Sequence, residues 1–212
     1  MNKIKYVYFD LGGVVILDFS GTDKWKELKN ELGFFGEKEK EFDELWDRYH
    51  SDFVLGKKEV DFLLPLFREK TEVNIPTDYS LLVNGFVNRF EANEGIRSVI
   101  ETINKDSRIG LLTNAYTGML DAVKKRGILP KIKWDNIIDS SVAGLRKPDE
   151  KIYQLAEKVA GVKGGEILFI DNTLENLNAA KDFCGWQTFY YDLSSIEESN
   201  KKLPDFWHQI NF

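Results

Sequence analysis

The sequence predicts an α/β fold: a Rossmann-like, doubly wound parallel sheet with four helices inserted after its first strand. Three observations predict it. Short β-rich runs recur with helical stretches between them, the pattern of a parallel sheet with crossover helices. Glycines follow those stretches where helices should stop. Residues 19–90, by contrast, carry helical periodicity and almost no β-branched runs.

The first strand is the run Ile4-Lys5-Tyr6-Val7-Tyr8-Phe9, which ends at Asp10 and is followed by Leu11-Gly12-Gly13-Val14-Val15. Four amphipathic faces make up the insertion: Trp25, Leu28 and Leu32; Phe42, Leu45, Trp46 and Tyr49; Val60, Leu63, Leu64 and Phe67; and Leu82, Phe86 and Phe90. Helices with such faces bury one another as a small bundle, so the aromatic residues are predicted to be its core. The later strands are Arg108–Thr113, Asn136–Asp139, Glu166–Asp171 and Trp186–Tyr191, five in all with the first. Helices are expected from Thr117 to Arg126, Pro148 to Ala160 and Leu174 to Phe183, stopped by Gly127, Gly161 and Gly185. The insertion is bounded at 18–90, with residues 1–17 and 91–212 forming the α/β core.

A chain of 212 residues, 42% hydrophobic and 30% charged, has the composition of a globular protein with a real core. Twenty-nine basic against 35 acidic residues give a net charge of −6, which argues against nucleic-acid binding, since phosphate backbones call for surplus positive charge. A single cysteine, Cys184, excludes an intrachain disulfide and a cysteine-rich metal site. No apolar run approaches the roughly 18 residues of a membrane span, and the N-terminal run is too short for a signal-peptide core. The expectation is a cytoplasmic protein with no membrane partner; composition leaves the oligomeric state open.

Four short stretches fall where strands should end, the edge at which open parallel sheets build their sites. Asp10 places a carboxylate there, able to attack phosphorus or hold a metal, with Gly12 and Gly13 letting the backbone approach a ligand. Thr113, followed by Asn114, offers a hydroxyl to a phosphate oxygen. In Gly144-Leu145-Arg146-Lys147-Pro148-Asp149, the Lys147 ammonium can neutralise a carboxylate and a bound phosphoryl group. Asp171, in Phe169-Ile170-Asp171-Asn172-Thr173-Leu174-Glu175-Asn176, can give an oxygen to magnesium, with Asn172 and Glu175 placed to orient bound waters. Taken singly, each has an ordinary alternative: a helix cap for either aspartate, a turn hydroxyl for Thr113, a solvated surface charge for Lys147.

Taken in this order, the four stretches resemble the motifs of the haloacid dehalogenase (HAD) superfamily of aspartate-dependent phosphotransferases. The likeness spans the chain, and is greatest to small bacterial sugar-phosphatase-type members whose first motif also reads Asp-Leu-Gly. The resemblance implies that the insertion is a helical cap, with Phe53-Val54-Leu55-Gly56-Lys57-Lys58 as its substrate-selecting loop. It implies a Mg²⁺-dependent phosphatase in which Asp10 attacks phosphorus to form an aspartyl-phosphate that water then hydrolyses. Magnesium would be held by the Asp10 carboxylate, the Gly12 carbonyl and Asp171. Thr113, Lys147 and Asn114 would bind the phosphoryl group of a small-molecule phosphate ester, a sugar phosphate being favoured, under a closing cap.

The sequence departs from the family's pattern at Gly12, where its phosphatases usually carry a second aspartate as general acid and base. Losing a positioned acid-base group costs about 10²–10⁴ in rate. Either a cap residue such as His50 or Asp52 supplies the proton, or the protein is a weakly active or non-catalytic phosphate-binding regulator. Asn172 stands where relatives often have another aspartate. A dehalogenase would use Asp10 on carbon, but the resembling enzymes have a bulky aromatic at the position of Gly12 and nothing equivalent to Asp171. A phosphosugar mutase would need the missing acid-base group even more than a hydrolase. Specificity is expected to reside in cap side chains between Trp46 and Lys58.

Overall fold

Strand β1 (Tyr6–Phe9) is apolar or aromatic at every position, and a strand of that kind is stable only with both faces covered. The computed structural model, which describes residues 3–211, covers both. Residues 1, 2 and 212, which the predicted core includes, lie outside it. Val7 and Phe9 enter one buried cluster, while Tyr6 and Tyr8 enter a second on the opposite face. The buried tyrosine hydroxyls are satisfied by main-chain carbonyls, Tyr6 donating to Ile109 O at 3.1 Å and Tyr8 to Ala156 O at 2.9 Å.

After β1 the chain forms a short strand β2 (Ile16–Leu17) and enters the insertion as α1 (Lys24–Glu31), α2 (Glu39–Val54) and α3 (Leu63–Lys70). It returns through β3 (Glu91–Ala92), which pairs antiparallel with β2, so a two-stranded ribbon stands at both ends of segment 18–90. Next come α4 (Glu94–Ile103), β4 (Arg108–Thr113), α5 (Met119–Arg126), β5 (Asn136–Asp139) and the single turn α6 (Ser140–Ala143). Helix α7 (Glu150–Ala160), β6 (Ile167–Asp171), α8 (Leu174–Cys184), β7 (Gln187–Tyr190) and α9 (Ile196–Asn211) complete the described chain. The predicted stop glycines 127, 161 and 185 all adopt the left-handed conformation at helix ends.

The main sheet has the order β5-β4-β1-β6-β7, and every pairing in it is parallel. From β1 the chain builds outward to β5, then crosses back to lay β6 on the other side. Phe9 pairs with Leu111 of β4 and Ile170 of β6. The next residues, Asp10 and Asp171, therefore emerge side by side where the strand order reverses, the crevice in which such sheets bind ligands.

In the insertion, the fourth predicted helix is not an α-helix. Leu81–Phe86 forms a π-helical turn and Val87–Arg89 a 3₁₀ turn. The apolar spacing Leu82, Phe86, Phe90 advances four residues at a time, wider than the 3.6-residue α period, and the wide turn buries Leu81 and Phe86 instead of continuing one α face. The pattern also predicts neither α4 nor α9. Helix α4 buries Ile96, Val99, Ile100 and Ile103 on one face, against which α9 packs despite carrying Pro204 in its interior.

The insertion is seated on the α/β core. The Ser140 hydroxyl donates to Val54 O at 2.7 Å and accepts from the Ala115 amide at 3.0 Å. Gly56, with φ of +68°, passes so close to Ser141 that a Cβ there would lie 1.9 Å from the Ser141 carbonyl oxygen. Gly56→Ala must therefore move backbone against backbone as well as hold an unfavourable φ, and is expected to lower stability by about 1–3 kcal/mol in urea denaturation. A variant as stable as the native protein would show that this seat is not rigid.

Candidate active site

Asp10 continues β1 as its amide bonds Ile170 O at 2.9 Å, after which the chain turns away, and the Leu11 amide donates to Asp10 Oδ1 at 2.7 Å. Lys147 arrives from the loop between α6 and α7. It is held there by both ends of the Asn114 side chain: the Lys147 amide donates to Asn114 Oδ1 at 2.8 Å, and Asn114 Nδ2 donates to Lys147 O at 2.9 Å. The lysine ammonium reaches both aspartates, 2.9 Å from Asp10 Oδ1 and 2.6 Å from Asp171 Oδ2. Asp171 is fixed further by the Thr173 amide at 2.7 Å and by Asn176 Nδ2 at 3.0 Å.

Asp10 is 8% exposed, Lys147 2% and Asp171 not at all, so this is a buried cluster of two acids and one base. With all three ionised it carries a net charge of −1. Burial raises the Asp10 carboxyl to about 7 against the pull of Lys147, and the Asp171 charge adds to the rise. Lys147 is raised: burial alone would lower it, and the two carboxylates outweigh that. A cluster holding surplus negative charge away from water is suited to a further cation. Among the described residues no three His, Cys, Asp or Glu side chains gather as a metal cage. Two carboxylates fit magnesium all the same, since it is commonly held by one or two of them and keeps several waters.

The other predicted residues divide. Thr113, buried at the end of β4, and Asn114 line a cavity of about 110 Å³ with Gly12. Asn114 spends its side chain on the Lys147 loop, so its role there is positional. Gly13, with φ of +77°, faces the Asn172 side chain so closely that a Cβ would lie 2.7 Å from Asn172 Nδ2. Asn172 is thereby packed against the first loop rather than bonded to Asp171. Glu175 is exposed on the first turn of α8, and no contact joins it to Asp171; Asn176, one residue on, makes that bond.

Neither suggested proton donor reaches the cavity. His50 lies against the Trp46 and Tyr116 rings, 5.6 and 6.2 Å between centroids, and burial lowers its pKa. Asp52 pairs with Lys57 at 3.9 Å. No residue between Trp46 and Lys58 lines the cavity; its aromatic wall from the insertion is Phe19, Trp25, Phe86 and Phe90. Asp18, which the sequence reading passes over, does line it. Only its place eight residues after Asp10, at the mouth of the insertion, hints at this.

A five-stranded parallel sheet with an acid-base cluster at its reversal point defines an α/β enzyme scaffold. The profile of the haloacid dehalogenase-like hydrolases matches residues 4–183, and the chain belongs to that family. Solved structures agree on the fold. The HAD family enzyme BT-2542 of Bacteroides thetaiotaomicron superposes with a TM-score of 0.76 at 19% identity, over 91% of this chain and 95% of that one. A HAD-like family hydrolase from Porphyromonas gingivalis gives 0.72 at 25% identity, over 95% and 98%. An aspartate-to-alanine variant of BT-2542, solved with magnesium and inorganic phosphate, gives 0.72 at 17% identity, over 90% and 95%. A search of curated proteins found no match. Among the described residues no helix is long and apolar enough to cross a membrane.

Proposed function

We propose that this hydrolase is a Mg²⁺-dependent phosphatase of small phosphate esters, working through an aspartyl-phosphate on Asp10. The observation that carries the reading is the buried Asp10–Lys147–Asp171 cluster, with one ammonium shared between two carboxylates. Halide displacement from carbon needs a nucleophile but no second carboxylate poised for a cation. The magnesium and phosphate found with BT-2542, a relative in fold, support the same choice.

In this reading the Asp10 carboxylate and Asp171, with the Gly12 carbonyl, hold the metal, which when bound screens the negative charge of nucleophile and phosphoryl group from each other. Lys147 binds the phosphoryl oxygens and keeps Asp10 aligned, and Thr113 gives a hydroxyl from the neighbouring strand end. Asn114 and Asn176 position Lys147 and Asp171 respectively. Segment 18–90 acts as the cap, excluding water from the nucleophile, and the aromatic wall of Phe19, Trp25, Phe86 and Phe90 meets the leaving group. A ring with an apolar face, such as a sugar, suits that wall.

The test is phosphate release from a panel of sugar and other small phosphate esters, with and without magnesium. Activity is expected to disappear with chelation and return with added Mg²⁺, and magnesium alone should raise the unfolding temperature through binding to the native state. Metal-independent release of halide from a 2-haloacid, with no phosphate release from any ester, would refute the proposal.

A further inference from the structure

We propose that Asp18 is the proton donor to the leaving group, filling from the insertion's entrance the place of a side chain that Gly12 lacks. The inference rests on the phosphatase reading and adds a residue to it. A Cβ built on Gly12 would lie 2.3 Å from Asp18 Oδ2 and 3.0 Å from its Cγ. The Asp18 carboxylate thus stands in the volume that a side chain two residues after Asp10 would enter. Gly12 has no left-handed φ, so its backbone would accept a side chain, and it is Asp18 that takes up the room.

The carboxylate is held for such a task. Its Oδ1 accepts the Ser20 amide at 2.9 Å, which fixes the group locally, and Oδ2 is the oxygen nearest the Gly12 position. Asp18 lines one cavity with Leu11 and Gly12, the two residues that follow Asp10, and with Thr113 and Asn114. His50 and Asp52 do not line it.

As an Asp10 carboxylate oxygen bonds to phosphorus and the ester P–O bond breaks, the proton of the Asp18 carboxyl passes to the departing oxygen, releasing an alcohol. Water then attacks the aspartyl-phosphate and gives a proton to the Asp18 carboxylate. The bond from phosphorus to Asp10 breaks, phosphate leaves, and both side chains return to their starting states.

The experiment compares the native protein, Asp10→Asn and Asp18→Asn on two esters, an alkyl phosphate and p-nitrophenyl phosphate, whose leaving group needs little protonation. Asparagine preserves the bond to the Ser20 amide but gives up the acid. Asp18→Asn is expected to lose about 10²-fold or more in kcat/KM on the alkyl ester and less than about tenfold on the nitrophenyl ester. Asp18→Ala is expected to lose alkyl-ester turnover likewise, and the pair Gly12→Asp with Asp18→Ala to regain most of it, because the new side chain enters the vacated space. Equal losses on both esters, or no loss, would overturn the role of Asp18 while an inactive Asp10→Asn keeps the phosphatase reading. A native protein inactive on both esters, or an active Asp10→Asn, would overturn the reading and this inference together.

Discussion

Asp10→Asn is expected to reduce ester turnover by about 10⁴-fold or more while leaving the metal-free protein at least as stable as the native one. The two effects have one origin. In the native cluster the Asp10 carboxylate sits beside another carboxylate, away from water, with half a share of one ammonium. The amide is isosteric and uncharged, so it cannot attack phosphorus, and it relieves the repulsion with Asp171. The sign with pH follows from the raised Asp10 carboxyl, about 7 in the folded protein against an ordinary 3.8. A carboxyl raised on folding keeps its proton in the native state while the unfolded chain loses it. Native stability therefore falls as pH rises from about 4 to 7, and the fall is absent in the variant. Thermal unfolding in chelator at pH 5 and pH 8 should show the variant gaining on the native protein between the two. Equal pH dependence in both proteins would mean that Asp10 is not strained by its burial.

How much of this was legible in the sequence depended on whether the signal was local. Asp10 and Asp171 each end an apolar run, and a strand end is readable because hydrophobicity stops where the sheet does. Their adjacency needs β6 beside β1 in the register Phe9 to Ile170, which the alternation of strands and helices makes possible but does not fix. Lys147 stood out through its place between a glycine and a proline. What the pattern could not supply was direction. Glu175 and Asn176 are consecutive on α8, and only the helix's rotation decides which one meets Asp171. Asp18 was hidden for a related reason: it sits past β2, in a loop whose path no periodicity describes, and its meaning comes from space left open by a residue with no side chain. The residues lining the cavity lie outside the stretch from Trp46 to Lys58 expected to set specificity, because a helical period reports which residues share a face and not what that face meets: Trp46 packs on the Trp25 and Phe86 rings.

Lys147→Met is expected to be the most destabilising substitution in the cluster. Methionine has nearly the volume of lysine and can lie along the same path, so the change isolates the charge. Without the ammonium, Asp10 and Asp171 remain buried beside each other with no cation between them, and breaking a buried ion pair in this way costs about 3–5 kcal/mol. Asp171 still has the Thr173 amide and Asn176, and Asp10 the Leu11 amide, so the chain has enough remaining contacts to fold with its carboxyls partly protonated. Two consequences separate this account from simple loss of packing. Adding Asp10→Asn to Lys147→Met removes one of the stranded charges, so it should stabilise Lys147→Met by more than it stabilises the native protein, a coupling that additive packing losses cannot produce. Magnesium, bringing two positive charges to the same carboxylates, should restore more stability to Lys147→Met than it adds to the native protein, where the ammonium already competes for them. Urea denaturation of the four proteins, with and without the metal, measures both. An Asp10→Asn gain no larger in Lys147→Met than in the native protein, or a metal effect equal in the two backgrounds, would show that the lysine matters for its bulk and not for its charge.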